Sequence, residues 1–392
     1  MDIAINDDQR MLQDTALSFA REAATPARIR ELETSDHAFD PAVWKKMAEM
    51  GWAGAVFPEQ YGGAEASLFD LALIVEALGQ GAIPSPIYST VAEAGLLLLE
   101  AGSEAQRERH LPRVAVGEAI LTTAITEPGG GLAPGEITTR IVRQGNGFTV
   151  SGTKIFVRDA GAADAIICLG RFGEDANDLM LLIVPRDAAG LKLRRMTSAG
   201  GEALWEAVFE GVTVDADAVV GEPGAVWPHV ARLQLRCAAL KSAELVGIGQ
   251  ASLDLTLAYA KTRVQFDRPI GSFQAVHHHC AEMYRDIEVC RLLSWQAAAA
   301  MSEGAPGDRE VAMAKAKTSE AIPAVTRLAQ QIHGAIAYYR DYPLELYYHR
   351  AIAAQAAYGD AGHYRRSLAR LLREDLGRFR GESPHELPVH YV

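Results

Sequence analysis

The sequence has little of what marks a membrane, secreted or nucleic-acid-binding protein. Its 392 residues include 4 cysteines, which show no short paired spacing, so we expect neither a zinc site nor a disulfide framework. The strongest apolar run, at 96–99, is far shorter than a membrane span. A net charge of −12 argues against a general nucleic-acid or anionic-membrane surface, since both need clustered cations. A ligand with phosphates would therefore need a local arginine cluster.

Several enzyme motifs are also missing. The sequence has no G-x-G-x-x-G after a strand, no P-loop, no G-x-S-x-G and no H-E-x-x-H. The glycines at 129–131 follow a strand-like segment, but no helical pattern comes next, which excludes a Rossmann unit. The consecutive histidines 277–279 would spread over about 200° of a helix, so no metal site is expected. The first ten residues are acidic without an apolar core, which leaves the cytoplasm as the expected location.

What is present is a composition typical of a globular protein, at 49% hydrophobic and 22% charged residues. The length allows two or three packed units. Helical periodicity dominates the first part, with helices expected near residues 7–19, at 41–50 after the cap Asp40, and at 67–78. From about residue 118 the pattern changes to short β-branched segments separated by Gly, Asp and Pro, which indicates an all-β unit of antiparallel hairpins. Ser151 and Gly152 are the clearest hairpin turn.

Helical periodicity returns after Trp227 and holds almost to the end, with helices expected at 231–261, 273–303, 308–332, 343–357 and 361–378. The sequence therefore predicts three units and a tail. They are an N-terminal all-α domain (1–117), a middle all-β domain (118–226), a C-terminal domain of the four-helix-bundle type (227–380) and a tail (381–392).

The connection between the first two C-terminal helices has a composition that suits ligand binding. Pro269 and Gly271 break the helical period, and Ser272 is expected to cap the next helix. Two cations, two aromatics and an amide are grouped there: Arg263, Arg268, Phe266, Phe273 and Gln274. Such a group suits a ligand with phosphates and a flat ring. The alternative is a solvated turn with two packed phenylalanines.

The same stretch resembles a motif of the acyl-CoA dehydrogenase family. That motif has a Tyr, an Arg four residues later, and then Q-F-G-x-P-I-x-x-F-Q, which forms a flavin-contacting loop. The matching residues are Tyr259, Arg263, Gln265, Phe266, Pro269, Ile270, Phe273 and Gln274. Asp267 stands where the family has Gly.

The resemblance extends over nearly the whole chain. Near the N-terminus it covers G-x-x-G-x-x-x-P-E-x-Y-G-G at 51–63 and a helix ending E-x-L-G at 76–79. In the β region the family motif T-E-P-x-x-G-S lies along the flavin and the CoA pyrophosphate. Thr126, Glu127, Pro128 and Gly131 match it, while Leu132 replaces the serine and removes one hydroxyl contact.

Two further flavin motifs of the family are present in altered form. In G-x-K-x-(W/F)-I-T the aromatic covers the flavin and the Thr lies near its reactive nitrogen; here these positions are Phe156 and Arg158. A cation beside the flavin would stabilise negative charge on the reduced ring, or belong to an altered site. In Q-x-x-G-G-x-G the glycines let the backbone approach the flavin adenine dinucleotide (FAD) of a neighbouring subunit. Gln331 and Gly334 match, whereas Ala335 and Ala337 replace two of the glycines.

The largest departure concerns the catalytic base. Many family members use a Glu, followed by Gly-Thr, to remove the α-proton of the acyl thioester; here the positions hold Tyr358, Gly359 and Asp360. In other members the Glu lies 21 or 22 residues before the conserved Tyr, which gives Ala238 or Cys237 here. Glu244 lies on the same helical face as Cys237 but roughly 10 Å away along the helix.

Tyr358 and Asp360 are therefore the candidates for catalysis, and each has an alternative interpretation. A Tyr with a pKa of about 10 is only ~0.1% phenolate at pH 7, equivalent to roughly 4 kcal/mol. A carboxylate needs a smaller adjustment, so Asp360 would serve if a loop brought it into place. In the alternative, both are ordinary residues at a helix start, with Asp360 capping the helix from Ala361.

The resemblance implies a mixed α+β protein of three domains that binds FAD and oxidises an acyl-CoA to its 2,3-enoyl-CoA. Its partners would be an electron-transfer flavoprotein or similar acceptor and further subunits, identical or related. Because the Glu is missing, one alternative is a non-catalytic partner in a mixed oligomer acting on bulky substrates such as steroid side-chain CoA esters. A second alternative is a flavin monooxygenase relative that uses the same fold without α-proton removal.

Overall fold

The computed structural model describes residues 4–23, 25–131 and 133–380, with side chains described through residue 376. Its N-terminal part is helical, as expected. The elements are α1 (Asp7–Ala23), α2 (Pro26–Glu33), α3 (Pro41–Glu49), α4 (Leu68–Gln80), a π-helical segment (Ile87–Gly95), α5 (Leu96–Ala101) and α6 (Glu104–Ala115). The predicted cap Asp40 accepts a hydrogen bond from the Ala42 amide at 2.9 Å, which satisfies a donor at the start of α3.

The middle of the chain folds into one eight-stranded sheet. Its strands are β1 (Leu121–Ala124), β2 (Arg140–Gln144), β3 (Gly147–Arg158), β4 (Ala165–Arg171), β5 (Leu179–Pro185), β6 (Leu191–Met196), β7 (Leu204–Asp215) and β8 (Val219–Val220). They are ordered β6-β7-β3-β2-β4-β5-β8, with β1 beside β4. Most pairs are antiparallel, but β4 runs parallel to both β1 and β2. The expected β domain is thus present, and its strands are not antiparallel throughout.

Both faces of strand β4 are buried, and alternate residues serve different cores. Ile167 and Leu169 face the core shared with the N-terminal helices. Ile166 and Cys168 face a separate core inside the β domain. Because successive side chains of a strand point to opposite faces, this one strand joins the β domain to the helical layer.

Ser151 and Gly152 were predicted to form a hairpin turn, and that prediction is wrong. Both lie inside β3, where Ser151 pairs with Arg140, and the pairing with β7 is irregular at this point. A Cβ at Gly152 would come within 2.8 Å of the Thr139 Cα atom, so this glycine permits close backbone approach. The actual β2–β3 turn includes Gly145, at φ 60°.

The C-terminal part is helical, as predicted. Its helices are α7 (Trp227–Thr262), α8 (Gln274–Ser302), α9 (Asp308–His333), α10 (Leu344–Ala356) and α11 (Ala361–Arg380). Ser272 does not cap α8: it belongs to a short 3₁₀ turn, and its hydroxyl donates to the Pro269 carbonyl at 2.8 Å. The predicted tail at 381–392 lies outside the described residues. No helix in the described part of the chain has the length and apolarity needed to cross a membrane.

Helices α4 and α7 cross with their backbones in contact. A Cβ at Gly79 would overlap the Glu244 carbonyl oxygen, and one at Gly247 would overlap the Glu76 carbonyl oxygen. Glycine is needed at both places because any side chain would separate the helices. This glycine crossing fixes the N-terminal helices against the C-terminal bundle.

A buried ion pair holds the loop that follows β1. The Lys154 ammonium donates to Glu127 Oε1 at 2.8 Å and to the Ile125 carbonyl at 2.9 Å. The same carboxylate accepts hydrogen bonds from the amides of Thr138 and Thr139 at 2.7 and 2.9 Å. Burial alone would raise the pKa of Glu127, but the Lys154 charge and these hydrogen bonds hold it at about 2. Both residues therefore fix the backbone of this loop.

We expect Lys154→Met to lower the free energy of unfolding by about 3–5 kcal/mol, because it leaves the Glu127 carboxylate buried without its counter-ion. Urea unfolding at pH 7 would measure the change. The matched control is Lys192→Met, which removes an exposed pair with Glu210 and should cost no more than about 1 kcal/mol. Equal losses in the two variants would contradict the structural role of the buried pair.

Candidate functional site

The turn between α10 and α11 packs Tyr358 against the main core, where the residue is partly buried. Tyr358 has φ 57° and Gly359 has φ 100°, so the chain reverses sharply between the two helices. The buried Lys315 ammonium holds this turn by donating to the Gly359 carbonyl at 3.0 Å and to the Gln355 carbonyl at 2.9 Å. The Tyr364 hydroxyl donates to the Tyr358 carbonyl at 2.8 Å. These bonds direct the Tyr358 ring toward the β domain.

The Tyr358 hydroxyl lies between the Glu93 carboxylate and the Arg158 guanidinium. It donates a short hydrogen bond to Glu93 Oε1 and accepts one from Arg158 Nε at 2.9 Å. The second oxygen of Glu93 accepts from the Thr123 hydroxyl at 2.7 Å. The Arg158 guanidinium also donates to Glu202 Oε1 at 2.9 Å. Residues from five separate segments therefore form one cluster, which we call the Arg158 cluster: Glu93, Thr123, Arg158, Glu202 and Tyr358.

Within this cluster Tyr358 acts as a hydrogen-bond donor. Burial, together with the negative charge of Glu93, raises the pKa of Tyr358 well above its usual value and outweighs the opposing charge of Arg158. Removing the proton would also place a phenolate against the Glu93 carboxylate. The geometry thus opposes use of Tyr358 as a proton acceptor near neutral pH.

Asp360 lies outside the Arg158 cluster. Its Oδ1 accepts a hydrogen bond from the His363 amide at 2.7 Å at the start of α11, and this bond lowers the pKa of its exposed carboxyl. The position is that of a helix N-cap, the alternative weighed from the sequence. Ala238 and Cys237 are buried in α7, and neither carries a carboxylate.

A second charged group lies beside the cluster. The Lys241 ammonium pairs with Glu244 Oε2 at 2.6 Å and lies 3.8 Å from Glu202 Oε1. It also lies 4.0 Å from the centroid of the Tyr88 ring. Burial alone would raise the pKa of Glu202, yet the charges of Arg158 and Lys241 hold it at about 2. Glu202 and Glu244 are therefore both neutralised by cations on the same chain.

Asp159 is the carboxyl of this region with a pKa near neutral. Its Oδ2 accepts a hydrogen bond from the Ser89 hydroxyl at 2.6 Å, and it lines a cavity next to the cluster. Burial raises the pKa of Asp159 to about 7, with further raising by the negative charges of Glu93 and Glu202. The group is thus poised to exchange a proton under ordinary conditions.

The β-domain positions expected to face the flavin are only partly suited to it. Phe156 is half-exposed at a β-bulge with φ 56°, and the Thr126 carbonyl accepts from the Ile155 amide at 2.9 Å. Beside Gly131 lies the Glu136 carboxylate, which would overlap a Cβ at that glycine. In the family this motif lies along a pyrophosphate. The Glu136 carboxylate would repel a pyrophosphate bound there, because both groups are negatively charged. Leu132, the other expected departure, lies outside the described residues.

The connection between α7 and α8 forms a small exposed hairpin. Strands β9 (Val264–Gln265) and β10 (Arg268–Pro269) pair around Phe266 and Asp267, at φ 53° and 61°. Two successive positive φ values explain why glycine suits position 267, and Asp is among the residues that tolerate them. Phe266 is 87% exposed. Arg263 and Gln274 are also exposed, and the Arg268 guanidinium lies 4.2 Å from the Phe273 ring centroid.

The connection between α9 and α10 is also largely exposed, although Ala337 is buried. Gly334 has φ 68° and ψ −142°, a conformation essentially restricted to glycine, and nothing lies within 4 Å of a Cβ built there. Ala335 and Ala337 follow in a 3₁₀ turn without positive φ, so backbone conformation does not demand glycine at either place. Gln331 is exposed one turn before Gly334. The two connections therefore expose the family-matching residues Arg263, Phe266, Gln274, Gln331 and Gly334 to solvent.

Thr123 and four charged residues of the site were not identified from the sequence: Glu93, Asp159, Glu202 and Lys241. Glu93 and Lys241 lie in otherwise apolar helical runs, and an unpaired charge in such a run signals a buried partner elsewhere. Asp159 and Glu202 gave no comparable signal, because each follows a strand or a glycine turn, where acidic residues are common.

Comparison with known proteins identifies the family. Three family models match the chain: acyl-CoA dehydrogenase N-terminal domain at residues 6–118, middle domain at 122–212 and C-terminal domain at 230–372. A probable acyl-CoA dehydrogenase, YngJ of Bacillus subtilis, is 31% identical over 357 residues, or 88% of this chain and 92% of the relative. The chain belongs to the acyl-CoA dehydrogenase family.

Two solved structures of related assemblies match the whole fold. The Tcur3481–Tcur3483 steroid ACAD is 29% identical with a TM-score of 0.84, covering 95% of this chain and 100% of that one. The ChsE4–ChsE5 complex of Mycobacterium tuberculosis is 26% identical with a TM-score of 0.84, covering 99% and 100%. Members of the family are FAD-dependent flavoprotein oxidoreductases, and both of these structures carry two differently named chains.

The raised pKa of Asp159 leads to a testable pH dependence. Protonated Asp159 stabilises the fold fully below pH about 4, and this contribution is lost as the pH rises through about 7. Asn does not titrate, so wild type should lose stability relative to Asp159→Asn between pH 5 and pH 8 in urea unfolding. Arg158, Glu93 and Glu202 face the site in both proteins, and their effects cancel in the difference.

The control for this measurement is Asp187→Asn at an exposed position. Its stability difference from wild type should not change between the two pH values. A pH-independent difference for Asp159→Asn as well would show that the carboxyl titrates normally in the folded chain.

Proposed function

We propose that this chain is a subunit of a mixed acyl-CoA dehydrogenase assembly that completes the flavin site of a related, catalytic subunit. In this role it does not remove the α-proton itself. FAD bound in the shared site would accept the β-hydride of the acyl thioester. The chain described here would supply contacts to the cofactor across the subunit interface.

The observation that carries this proposal is the state of Tyr358. Where many family members have a glutamate, this chain has a tyrosine hydroxyl that is hydrogen-bonded to both Glu93 and Arg158. The nearby carboxylates Glu202 and Glu244 are neutralised by Arg158 and Lys241. A proton acceptor must be free to take a proton from the substrate, and none of these groups is free to do so.

Residues that in the family serve a neighbouring subunit's cofactor are well suited to that use. Arg263 and Gln274 are exposed on the α7–α8 connection, and Gln331 and Gly334 on the α9–α10 connection. An exposed guanidinium suits a pyrophosphate, because charge-assisted bonds to phosphate oxygens are the stronger ones. The side chains around them are apolar and exposed, which favours contact with another protein chain: Val264, Phe266, Ile336, Tyr338 and Tyr339.

The β-domain residues that would contact this chain's own FAD are less suited to binding it. Glu136 places a negative charge beside Gly131, and Arg158 is engaged by carboxylates of the same chain. The β-domain positions are altered, whereas the exposed residues of the α7–α8 and α9–α10 connections suit the cofactor of a neighbouring subunit. This contrast supports a role in a flavin site shared between two chains. The similarity to the Tcur3481–Tcur3483 and ChsE4–ChsE5 assemblies, each with two different chains, supports it further.

The test is to purify the chain alone and co-expressed with related subunits encoded near it. Anaerobic addition of acyl-CoAs should leave the isolated chain without flavin bleaching, while the mixed complex should bleach. Because each flavin would be shared by two unlike chains, we expect about half as many flavins as chains.

In the complex, Arg263→Ala should weaken FAD binding about tenfold or more, since a charge-assisted hydrogen bond contributes about 1.5–3 kcal/mol. The retained flavin per complex after dialysis measures the effect. Arg143→Ala, which removes an exposed arginine on β2, is the charge-matched control and should retain its flavin. Loss of flavin from both variants, or from neither, would contradict the assigned role of Arg263.

A second candidate is an acyl-CoA dehydrogenase that works without a partner, and Asp159 favours it. Its carboxyl has a pKa of about 7 and lines a cavity, as a general base requires. In that case the isolated, flavin-loaded chain would bleach with an acyl-CoA, and Asp159→Asn would abolish the bleaching. That result would support catalysis by this chain alone and contradict the partner role.

A further inference from the structure

The α7–α8 and α9–α10 connections both begin beside one aromatic cluster. Tyr259, on the last turn of α7, stacks on the imidazole of His333, the last residue of α9, with ring centroids 4.4 Å apart. Tyr342, which lies just before α10, packs beside both rings, at 5.2 Å from His333 and 6.5 Å from Tyr259. We call these three residues the His333 cluster. It joins the ends of three helices.

Hydrogen bonds define the protonation of the His333 ring. The residue is only 4% exposed, its Nδ1 lies 2.8 Å from the Ala329 carbonyl oxygen, and its Nε2 lies 2.9 Å from the Tyr342 hydroxyl. Because a carbonyl can only accept, Nδ1 carries the ring proton, and Nε2 accepts from the Tyr342 hydroxyl. The neutral imidazole thus has a partner at each nitrogen and ties the end of α9 to the start of α10.

The His333 cluster stands at the base of both connections. The Tyr259 carbonyl accepts a hydrogen bond from the Arg263 amide at 2.8 Å, so the stacked ring and the first residue of the α7–α8 connection are one turn apart. Gly334 follows His333 directly, in a conformation essentially restricted to glycine, which suits a hinge. A movement of the His333 ring would therefore disturb Arg263 on one side and Gln331 and Gly334 on the other.

The surroundings of the His333 ring hold no group that would compensate a positive charge. Among the described residues, no carboxylate lies within 4.0 Å of either ring nitrogen. The titratable groups in contact with the ring are Tyr259 from α7 and Tyr342 from the start of α10. Behind Tyr342, Arg30 of α2 donates to the Tyr342 carbonyl at 3.0 Å and lies 3.6 Å from Glu345.

A proton on His333 therefore works against the cluster. Burial lowers the pKa of His333 below its usual value, although the Ala329 and Leu255 carbonyls act in the opposite direction. Once Nε2 is protonated it becomes a donor, and the Tyr342 hydroxyl can no longer donate to it. A buried imidazolium without a counter-ion costs free energy, which movement of the ring into solvent relieves. The closed cluster is thus stable above pH about 6.5 and is lost as the pH falls below that value.

We propose that His333 is a positioning residue for the FAD held across the subunit interface, and that its protonation releases both connections. In the neutral form the cluster keeps Arg263 and Gln331 in place. In the protonated form the chain opens at Gly334, and the end of α7 loses the ring on which Tyr259 stacks. This inference rests on the proposed function, because it concerns the same neighbour-facing contacts. The chain would hold its neighbour's cofactor at neutral pH and loosen it in mild acid.

Hydrogen exchange of the isolated chain at pH 8 tests the coupling without flavin or partner. His333→Phe keeps a ring against Tyr259 but loses the bond to Tyr342, so amides of both connections should exchange about fivefold faster. Tyr342→Phe should have the same effect, and the double variant should be no faster than either, because all three lack the same bond. Circular dichroism shows whether each variant is folded. Faster exchange confined to the α9–α10 connection overturns the proposal.

The pH dependence separates this role from simple packing. Wild type and His333→Phe are compared at the same pH, which cancels the intrinsic effect of pH on exchange. The protection of wild type should disappear at pH 5, because a ring that has moved into solvent takes up a proton with its usual pKa of about 6.5. The matched control His37→Phe, at an exposed position, should exchange as wild type does at both pH values. Equal protection at pH 8 and pH 5 overturns release by protonation.

Flavin retention by the mixed complex then connects the His333 cluster to the cofactor. At pH 8, His333→Phe should bind FAD about fivefold more weakly than wild type, and the difference should disappear at pH 5. The control His37→Phe should bind FAD as wild type does. Unchanged FAD affinity in a His333→Phe complex whose connections exchange faster contradicts the positioning role. Absence of coupling in the isolated chain overturns the proposal and leaves the partner role untouched. Flavin bleaching by the isolated chain contradicts the partner role and leaves the exchange result standing.

Discussion

The Arg158 guanidinium is the interaction on which the arrangement of this molecule depends. It stands at the end of β3 and binds Tyr358 from the α10–α11 turn, Glu202 from the loop before β7 and, at 3.7 Å, Glu93 from the π-helical segment. A buried cation of this kind is stable only if carboxylates surround it, and carboxylates are stable there only if the cation remains. The β domain and both helical regions are thereby held in one geometry.

The mutual dependence of Arg158 and its carboxylates explains why a tyrosine at position 358 fits where many family members have a glutamate. A glutamate at position 358 would add a further negative charge beside Glu93 and Glu202. A tyrosine keeps the shape, donates to Glu93 and accepts from Arg158, so the cluster is satisfied without another charge. Arg158 and Tyr358 therefore form one coupled departure from the family pattern, although they are far apart in the sequence.

The sequence predicted the order of helical, β and helical regions because periodicity and glycine punctuation are local signals. It also predicted Asp40 as a cap and Asp360 as one of two alternatives, since capping needs only neighbouring residues. It failed at Ser151–Gly152, where glycine serves close approach to Thr139 on another segment, and at Ser272, where a 3₁₀ turn displaces the helix start. Glu93, Glu202 and Lys241 were missed because their partners are brought close only by tertiary folding.

The glycine crossing of α4 and α7 has a consequence for the cavity that lies beside it. Backbones packed without intervening side chains cannot part or slide without losing contact along the whole seam. The side chains that α4 and α7 contribute to the adjoining cavity are therefore held in fixed positions before any ligand enters.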